Sequence, residues 1–496
     1  MKTKNRLKYV FVLLVMCTGC SDFLNVTPKD KQTQEQLFST RSGFYAAVNG
    51  VYNQLATSSL YGRNLSYETI ELMGLRYAPV STSGSLISAA AKWDYENDYM
   101  KSALTAIWST AFSTILNCNV ILDNIDKQQG ILPEREAILM RGEMLALRAF
   151  LHFDMLRLFG PIYKLNAKAK SIPYNESVKI SNLPLLPADS VIFHKIIRDL
   201  NQAEQCLKED PVIPSGPMAS SPGDEDADDI FLRYRQLRFN YYAVLALKAR
   251  VYLYGQDKEN ARTTARRLLV DPAVQGHFPA VDPSTLLGNS QTPDRVFSSE
   301  VLLGIYKKNR SDIYTYSFEP ENTGTNLLQP KPDFVSGWLF AGETGDYRYQ
   351  SQWTPATGVG TSGFILNKYR ALKFPADVKA DKYPFYAYMI PLIRLSEVYF
   401  IAAECENDPK DGYDWLNQSR ERRGVPGLPV VSAADLKNCL RREYLREFYG
   451  EGQSFFLYKR MCVNIQRTEH ACNNNNYPCS ADRFVPPLPE NELSNR

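Results

Sequence analysis

The chain is poor in the residues that most hydrolases lean on. It has four histidines in 496 residues, and neither the H-E-x-x-H pattern of a zinc hydrolase nor the G-x-S-x-G elbow of a serine hydrolase occurs. Charge of one sign is also scarce, with 57 Lys and Arg against 54 Asp and Glu. Four of the basic residues (Lys2, Lys4, Arg6 and Lys8) lie in the first nineteen positions, where there is no acid. Removing them takes the formal charge from +3 to −1. A body this close to neutral lacks the positive field that binding to nucleic acid requires. Past the N-terminus no apolar run approaches the length of a membrane-spanning helix.

Cofactor and metal motifs fail on inspection. Residues 358–363, GVGTSG, fit G-x-G-x-x-G, but no apolar strand leads in and no helix follows. Asp224, Asp226 and Asp228 alternate like a calcium loop, yet Asp229 stands where such a loop has glycine and Arg235 where it has glutamate. Cys462, His470, Cys472 and Cys479 lack the close pairing of zinc ligands. In an extracytoplasmic chain these cysteines favour a disulfide, Cys472–Cys479 first. No cofactor and no metal are expected, a surface calcium on the acidic loop at 224–229 being the alternative to a solvated loop.

What is present begins with a basic segment and a short apolar stretch, YVFVLLVM, followed by Cys17-Thr18-Gly19-Cys20. This resembles a bacterial lipobox in which Cys20 becomes the lipidated first residue. Cys17 departs from the usual leucine, and an ordinary cleaved signal is the alternative. Residues 1–19 then form a lipoprotein signal peptide, and two or more acyl chains on Cys20 give stable anchoring.

The rest reads as helices. Apolar residues at helical spacing mark residues 43–60, 99–125, 134–158, 191–207, 239–254 and 259–270. Pro133 and Gly160 bracket the third of these with the polarity expected of start and stop signals. Ala249, Tyr252 and Ala261 follow the small–aromatic–small spacing of tetratricopeptide repeats. Residues 381–429 hold two amphipathic runs separated by a polar segment with Pro409 and Gly412, and Gly424 ends the second. Residues 433–460 read as two further helices broken near Gly450 and Gly452. Between them, residues 271–389 lose helical periodicity and carry short β-like runs such as 301–306. A loop-rich section this long is more often functional than connective.

Several stretches together resemble the RagB/SusD family of outer-membrane nutrient-binding lipoproteins. They are CSDFLNVTP after the signal, LRAFLHFDMLRLFGPI, IPLIRLSEVYFIAAE with LNQSRERRGV, RREYLREFYGEGQSFFLYKRM, and PLPENEL at the end. The resemblance implies an all-α fold of tetratricopeptide-like helix pairs forming a superhelical scaffold, with the loop-rich section carrying short β hairpins. It implies one domain over residues 20–496, with scaffold at about 40–270 and 390–461. It also implies a lipid-anchored, surface-exposed protein at the outer membrane that captures oligosaccharide for a SusC-like TonB-dependent transporter, without catalysis. A peptide-capturing lid of the same architecture, a glycosidase and an intracellular repeat scaffold are the alternatives.

Binding a sugar without cleaving it needs flat apolar rings, together with amide, carboxylate or guanidinium groups for the hydroxyls. The loop at Trp93, Tyr95 and Asn97 commonly contributes to the ligand site in this family, and Arg76 comes from the loop before it. In the loop-rich section the candidates are Tyr316, Trp338 and Tyr347. Trp108 and Trp415 fall on amphipathic helices and read as core. Asp346 and Arg348 read as a structural ion pair.

Overall fold

The computed structural model describes residues 33–78, 85–179, 182–217, 231–287, 291–321, 327–356, 363–374, 376–377, 383–473 and 475–494. Cys20, the acidic loop at 224–229 and most of the glycine motif at 358–363 lie outside them.

Helix α1 (Arg41–Leu55) opens the array, capped by the Thr40 side chain on the Gly43 N–H. It packs on α2 (Asp98–Lys127), which lies against α3 (Glu134–Phe159). Helix α2 is apolar over a window long enough to cross a membrane, contrary to the expectation that no such run exists. Its apolar positions are spent on protein: Ile107, Trp108, Ala111 and Ile115 are buried, and the Trp108 ring meets Phe159 edge-on at 5.1 Å. It is a core helix.

Helix α3 is buried around most of its girth, so its polar residues have found partners. Arg148 donates to Asp199 at 2.7 Å and to Asn119 at 2.9 Å. His152 lies 2.8 Å from the Arg148 carbonyl through Nδ1, and its Nε2 accepts from the Asn175 N–H at 3.0 Å. The Nε2 contact fixes the neutral tautomer protonated at Nδ1. Burial holds this imidazole uncharged, pushing its pKa down to about 3.

The partner expected at 191–207 starts with a π-helical turn at Val191–Ile196 and continues as α4 (Ile197–Cys206). Then come α5 (Tyr241–Tyr254) and α6 (Lys258–Leu269), an antiparallel pair capped by Asn240 and Asp257. In sequence the array stops here. In space it continues, because α6 packs directly on α9 (Leu395–Cys405), which pairs with α10 (Pro409–Glu421) and contacts α11 (Ala433–Glu447). Pro409 belongs to the first turn of α10, with Asp408 as its cap, so this helix starts a turn earlier than the polar segment suggests. Gly412 allows the close approach: a Cβ there would lie 2.9 Å from the Ala403 carbonyl of α9. The chain is a stack of tetratricopeptide-like helix pairs with a long insertion between two of them.

The insertion is closed at its base. Strand β1 (Val301–Tyr306) pairs antiparallel with β4 (Met389–Arg394), in a register running from Val301↔Arg394 to Tyr306↔Met389. Between them lie the short helices α7 (Asp312–Ser317) and α8 (Tyr347–Gln352), a π-turn at Val335–Leu339, and the small hairpin of β2 (Trp353–Pro355) with β3 (Phe364–Leu366).

A buried network of charges fastens insertion to array. Arg348 meets Asp346 at 2.5 Å, Glu443 at 2.8 Å and Glu447 at 2.9 Å. Arg423, just after α10, bridges Glu300 at 2.7 Å and Glu447 at 2.5 Å, and Arg394 of β4 also reaches Glu447. Lys368 pairs with Glu451 at 2.7 Å. Burial opposes ionisation of Glu443, but Arg348, Arg446 and Arg420 outweigh it and hold its pKa down to about 2. Glu447 likewise lies well below the usual carboxylate range. The ion pair expected of Asp346 and Arg348 is thus part of a larger set.

After α12 (Ser454–Met461) the tail folds back over the loop before α2. Ile465 and Tyr477 exchange backbone hydrogen bonds, and this closure brings Cys479 to Cys462, with the Sγ atoms 2.6 Å apart. Cys472 is buried elsewhere, its N–H directed at the His470 ring. The Cys472–Cys479 expectation is therefore replaced by proximity of Cys479 to Cys462.

Candidate functional site

The site begins where β1 runs out. Tyr306 ends the strand, Lys307 turns the chain, and α7 follows within a few residues. Two residues apart on this helix, Tyr314 faces inward and is buried, whereas Tyr316 faces out at 69% exposure. A short helix packed on one side cannot bury both rings. Across from Tyr316 stands the segment 58–68 after α1, folded into consecutive turns by bonds such as Leu65 N–H to the Leu60 carbonyl.

Between these walls lies a cleft of about 440 Å³, lined by Ser58, Arg63, Tyr67, Glu68, Lys307, Asn309, Asp312 and Tyr316. Tyr67 forms the floor, its ring tilted against Phe318 and Tyr369 at 6.0 Å. Arg63 approaches Glu68 at 3.3 Å. Burial raises the Glu68 carboxyl above its ordinary pKa, and Arg63 opposes that shift. Lys307 donates to the Ala56 carbonyl at 3.2 Å. Its ammonium is pushed below the usual lysine range by burial, with Asp312 working the other way. Tyr306, 46% exposed and 5.2 Å from the Tyr388 ring, is a further accessible ring next in sequence to Lys307, outside the lining of the cleft, whose own rings are Tyr67 and Tyr316. One cleft therefore offers flat rings, an amide, two carboxylates and two cations, a set suited to a polyhydroxylated ligand with apolar C–H faces.

Of the residues expected from sequence, only Tyr316 lines this cleft. Trp93 is 6% exposed and takes a left-handed backbone conformation at φ 54°. Its Nε1–H donates to the Met73 carbonyl at 3.0 Å, and its ring meets Tyr477 edge-on at 5.0 Å. No face is left for a sugar, and the ring is an anchor. Arg76 is fully buried, donating to the Gly74 and Glu469 carbonyls at 3.0 and 2.7 Å. Asn97 caps α2 by accepting the Tyr99 N–H at 3.0 Å.

Tyr95 donates its hydroxyl to the Arg483 carbonyl and lines a separate cleft of about 600 Å³ between the start of α2 and the tail. Trp338 is half-buried and stacks on Phe334 at 5.5 Å, and its carbonyl accepts from Arg442 at 2.6 Å. Tyr347 packs with Val281, Leu286 and Phe297 over Gly424. Trp108 is core, as expected; Trp415 is half-buried and donates to Glu406 at 3.0 Å. Arg63, Tyr67, Glu68, Lys307 and Asn309 were not anticipated. The signal for Arg63, Tyr67 and Glu68 is the polar, aromatic spacing of 58–68, where the Ser- and Gly-rich stretch 61–93 reads as loop apart from a short helix over 67–73; Lys307 and Asn309 simply follow the β-like run 301–306.

Two family models match this chain. One, described as the SusD family, covers residues 313–491, and the other, described as starch-binding associating with outer membrane, covers residues 22–215. The chain belongs to the SusD family. The same relationship appears along nearly its whole length. It is 23% identical over 478 residues to SusD-like protein P25 of Formosa agariphila, covering 85% of this chain and 82% of that one. In three dimensions this SusD-family chain resembles a SusD superfamily protein from Bacteroides thetaiotaomicron, with a TM-score of 0.67 at 20% identity, covering 92% and 98% of the two chains. It also resembles a laminarin-binding SusD-like protein, with a TM-score of 0.61 at 18% identity, covering 92% and 97%. The family description places the protein in association with the outer membrane.

Proposed function

We propose that this protein is a surface glycan receptor that binds oligosaccharide in the cleft beneath Tyr316 and passes it to a SusC-like TonB-dependent transporter. The observation that carries the reading is Tyr316 itself, an aromatic ring 69% exposed at the rim of a polar cleft. A sugar C–H face stacks on that ring, while Arg63, Glu68, Asn309 and Asp312 exchange hydrogen bonds with its hydroxyls. The laminarin-binding neighbour and the starch-binding description of the family support a glycan as ligand. Lipidation at Cys20 anchors the chain to the outer membrane with its body exposed at the cell surface, residues 20–496 acting as one unit. Neither Glu68 nor Asp312 is assigned chemistry, and the bound sugar leaves intact.

The test is a titration of neutral oligosaccharides, including laminarin fragments, against wild type and Tyr316→Ala. The variant is expected to lose about tenfold or more in affinity with an unchanged thermal midpoint. Unchanged affinity would remove Tyr316 from the site. Release of new reducing ends during long incubation would replace a receptor with a glycosidase. Co-purification with a TonB-dependent transporter from membranes tests the delivery step.

A further inference from the structure

Most of the deeply buried guanidinium groups in this chain meet a carboxylate at salt-bridge distance, as Arg235, Arg348, Arg394 and Arg423 do. Three arginines of the loop-rich section do not. Arg295, Arg310 and Arg370 make no salt bridge among the described residues, and they are close enough to act on one another. Arg370 repels Arg295, and Arg295 repels Arg310.

Their remaining contacts are thin. Arg310 is 3% exposed; its guanidinium lies 6.0 Å from the Tyr369 ring centre, its Nη1 reaches the Met389 carbonyl at 3.4 Å, and its Nε has no hydrogen-bond partner among the described residues. Arg295 is half-buried, gives Nε to the Ser351 carbonyl at 3.1 Å and leaves Nη1 without a partner. Arg370 is exposed, its guanidinium 5.3 Å above the Tyr314 ring.

The acids nearby do not balance the three. Asp294 attracts Arg310 from beyond salt-bridge distance, and its Oδ2 is occupied by the Ser298 N–H and hydroxyl at 2.8 and 2.7 Å. Glu319 and Glu321 act on Tyr314 without reaching Arg370 at bonding distance. Burial first, and a neighbouring arginine in addition, press both Arg295 and Arg310 down to about 10. Two guanidiniums set into the fold beside a third at the surface, with one acid beyond salt-bridge distance to offset them, are costly to keep and are more often found where an anion is received.

We infer that this cluster receives an oxyanion carried by the glycan, a uronate carboxylate or a sulfate ester, held between Arg295 and Arg370 with Arg310 behind them. The inference rests on the glycan reading of the Tyr316 cleft, because Tyr314 and Tyr316 share α7. A chain of sugars stacked on Tyr316 and crossing that helix brings the substituent of a neighbouring residue toward Arg370. The guanidinium fork matches two oxygens of either anion.

The experiment titrates the full chain in detergent with trigalacturonate, a κ-carrageenan tetrasaccharide and neutral laminaritetraose. The acidic probes are expected to bind about tenfold tighter than the neutral one at low salt, with the preference shrinking as salt rises. Arg370→Gln, an exposed change that leaves the thermal midpoint in place, removes about that tenfold preference and leaves laminaritetraose binding within about twofold. Arg295→Gln behaves likewise. Preference for the uronate alone or the sulfate alone supports the site and names its anion. Absence of any preference in wild type, absence of binding by both acidic probes, or a preference that survives both substitutions overturns it. Tyr316→Ala separates the two readings. If it changes no affinity while Arg370→Gln still abolishes the preference, the cleft reading falls and the anion site stands.

Discussion

Two side chains of similar kind are put to opposite uses here. Trp93 in the turn before α2 and Tyr316 on the short helix α7 are both aromatic, yet one is sealed and the other bare. Trp93→Ala is expected to cost about 3–5 kcal/mol of stability, as for other buried tryptophans, with glycan affinity of the surviving folded protein unchanged. Chemical denaturation alongside titration checks both halves of that statement. Glu71 makes a second residue-level case. It accepts from the Gln453 N–H at 3.1 Å, and burial pushes its pKa up to about 7 against an ordinary value of 4.5. An acid raised in the folded state is protonated there at low pH without penalty, and the penalty for ionising it grows as pH rises from about 4.5 to 7. Glu71→Gln should therefore gain on wild type between pH 5 and pH 8, by roughly 3 kcal/mol at most. Thermal melts of both proteins across that range would expose a flat difference if Glu71 is not so perturbed.

At the scale of elements, periodicity and stop signals were enough to locate the helices, because each must bury one apolar stripe. Residues 134–158 and 433–460 fall where that pattern puts them. The site was far less legible. What covers Trp93 is Tyr477 and Phe484, nearly four hundred positions downstream, and no local pattern announces their arrival. The pairing of β1 with β4, which seats α6 against α9, is hidden for the same reason. Gly424 was legible as a helix stop, but its second duty was not. It holds φ at 71°, and a Cβ there would lie 2.3 Å from the Tyr347 ring. Gly424→Ala is expected to cost about 2 kcal/mol or more, combining left-handed strain with displacement of Tyr347. Partial recovery in Gly424→Ala with Tyr347→Ala would show that the ring is the obstacle.

For the molecule as a whole, the charges around Glu447 set the response to acid. Glu443, Glu447 and Glu300 all have depressed folded pKa values. Their contribution is complete above the unfolded value of about 4.5 and is lost as pH falls toward 2. The thermal midpoint should accordingly drop steeply below about pH 4. Arg348→Ala, which strands Asp346 and leaves Glu443 and Glu447 each one cation fewer, should cost about 3–5 kcal/mol at neutral pH. The network also governs how the protein comes apart. Its members are drawn from the start of the insertion, its middle, its returning strand and two array helices, so neither part can loosen while the other keeps its counter-charges. Calorimetry should record one cooperative transition, with the insertion and the helix stack melting together. Among the described residues, helix α7 and its neighbours in the network are then expected to exchange their amides as slowly as the helices beneath them, so that the rim at Tyr316 is already set before anything meets it.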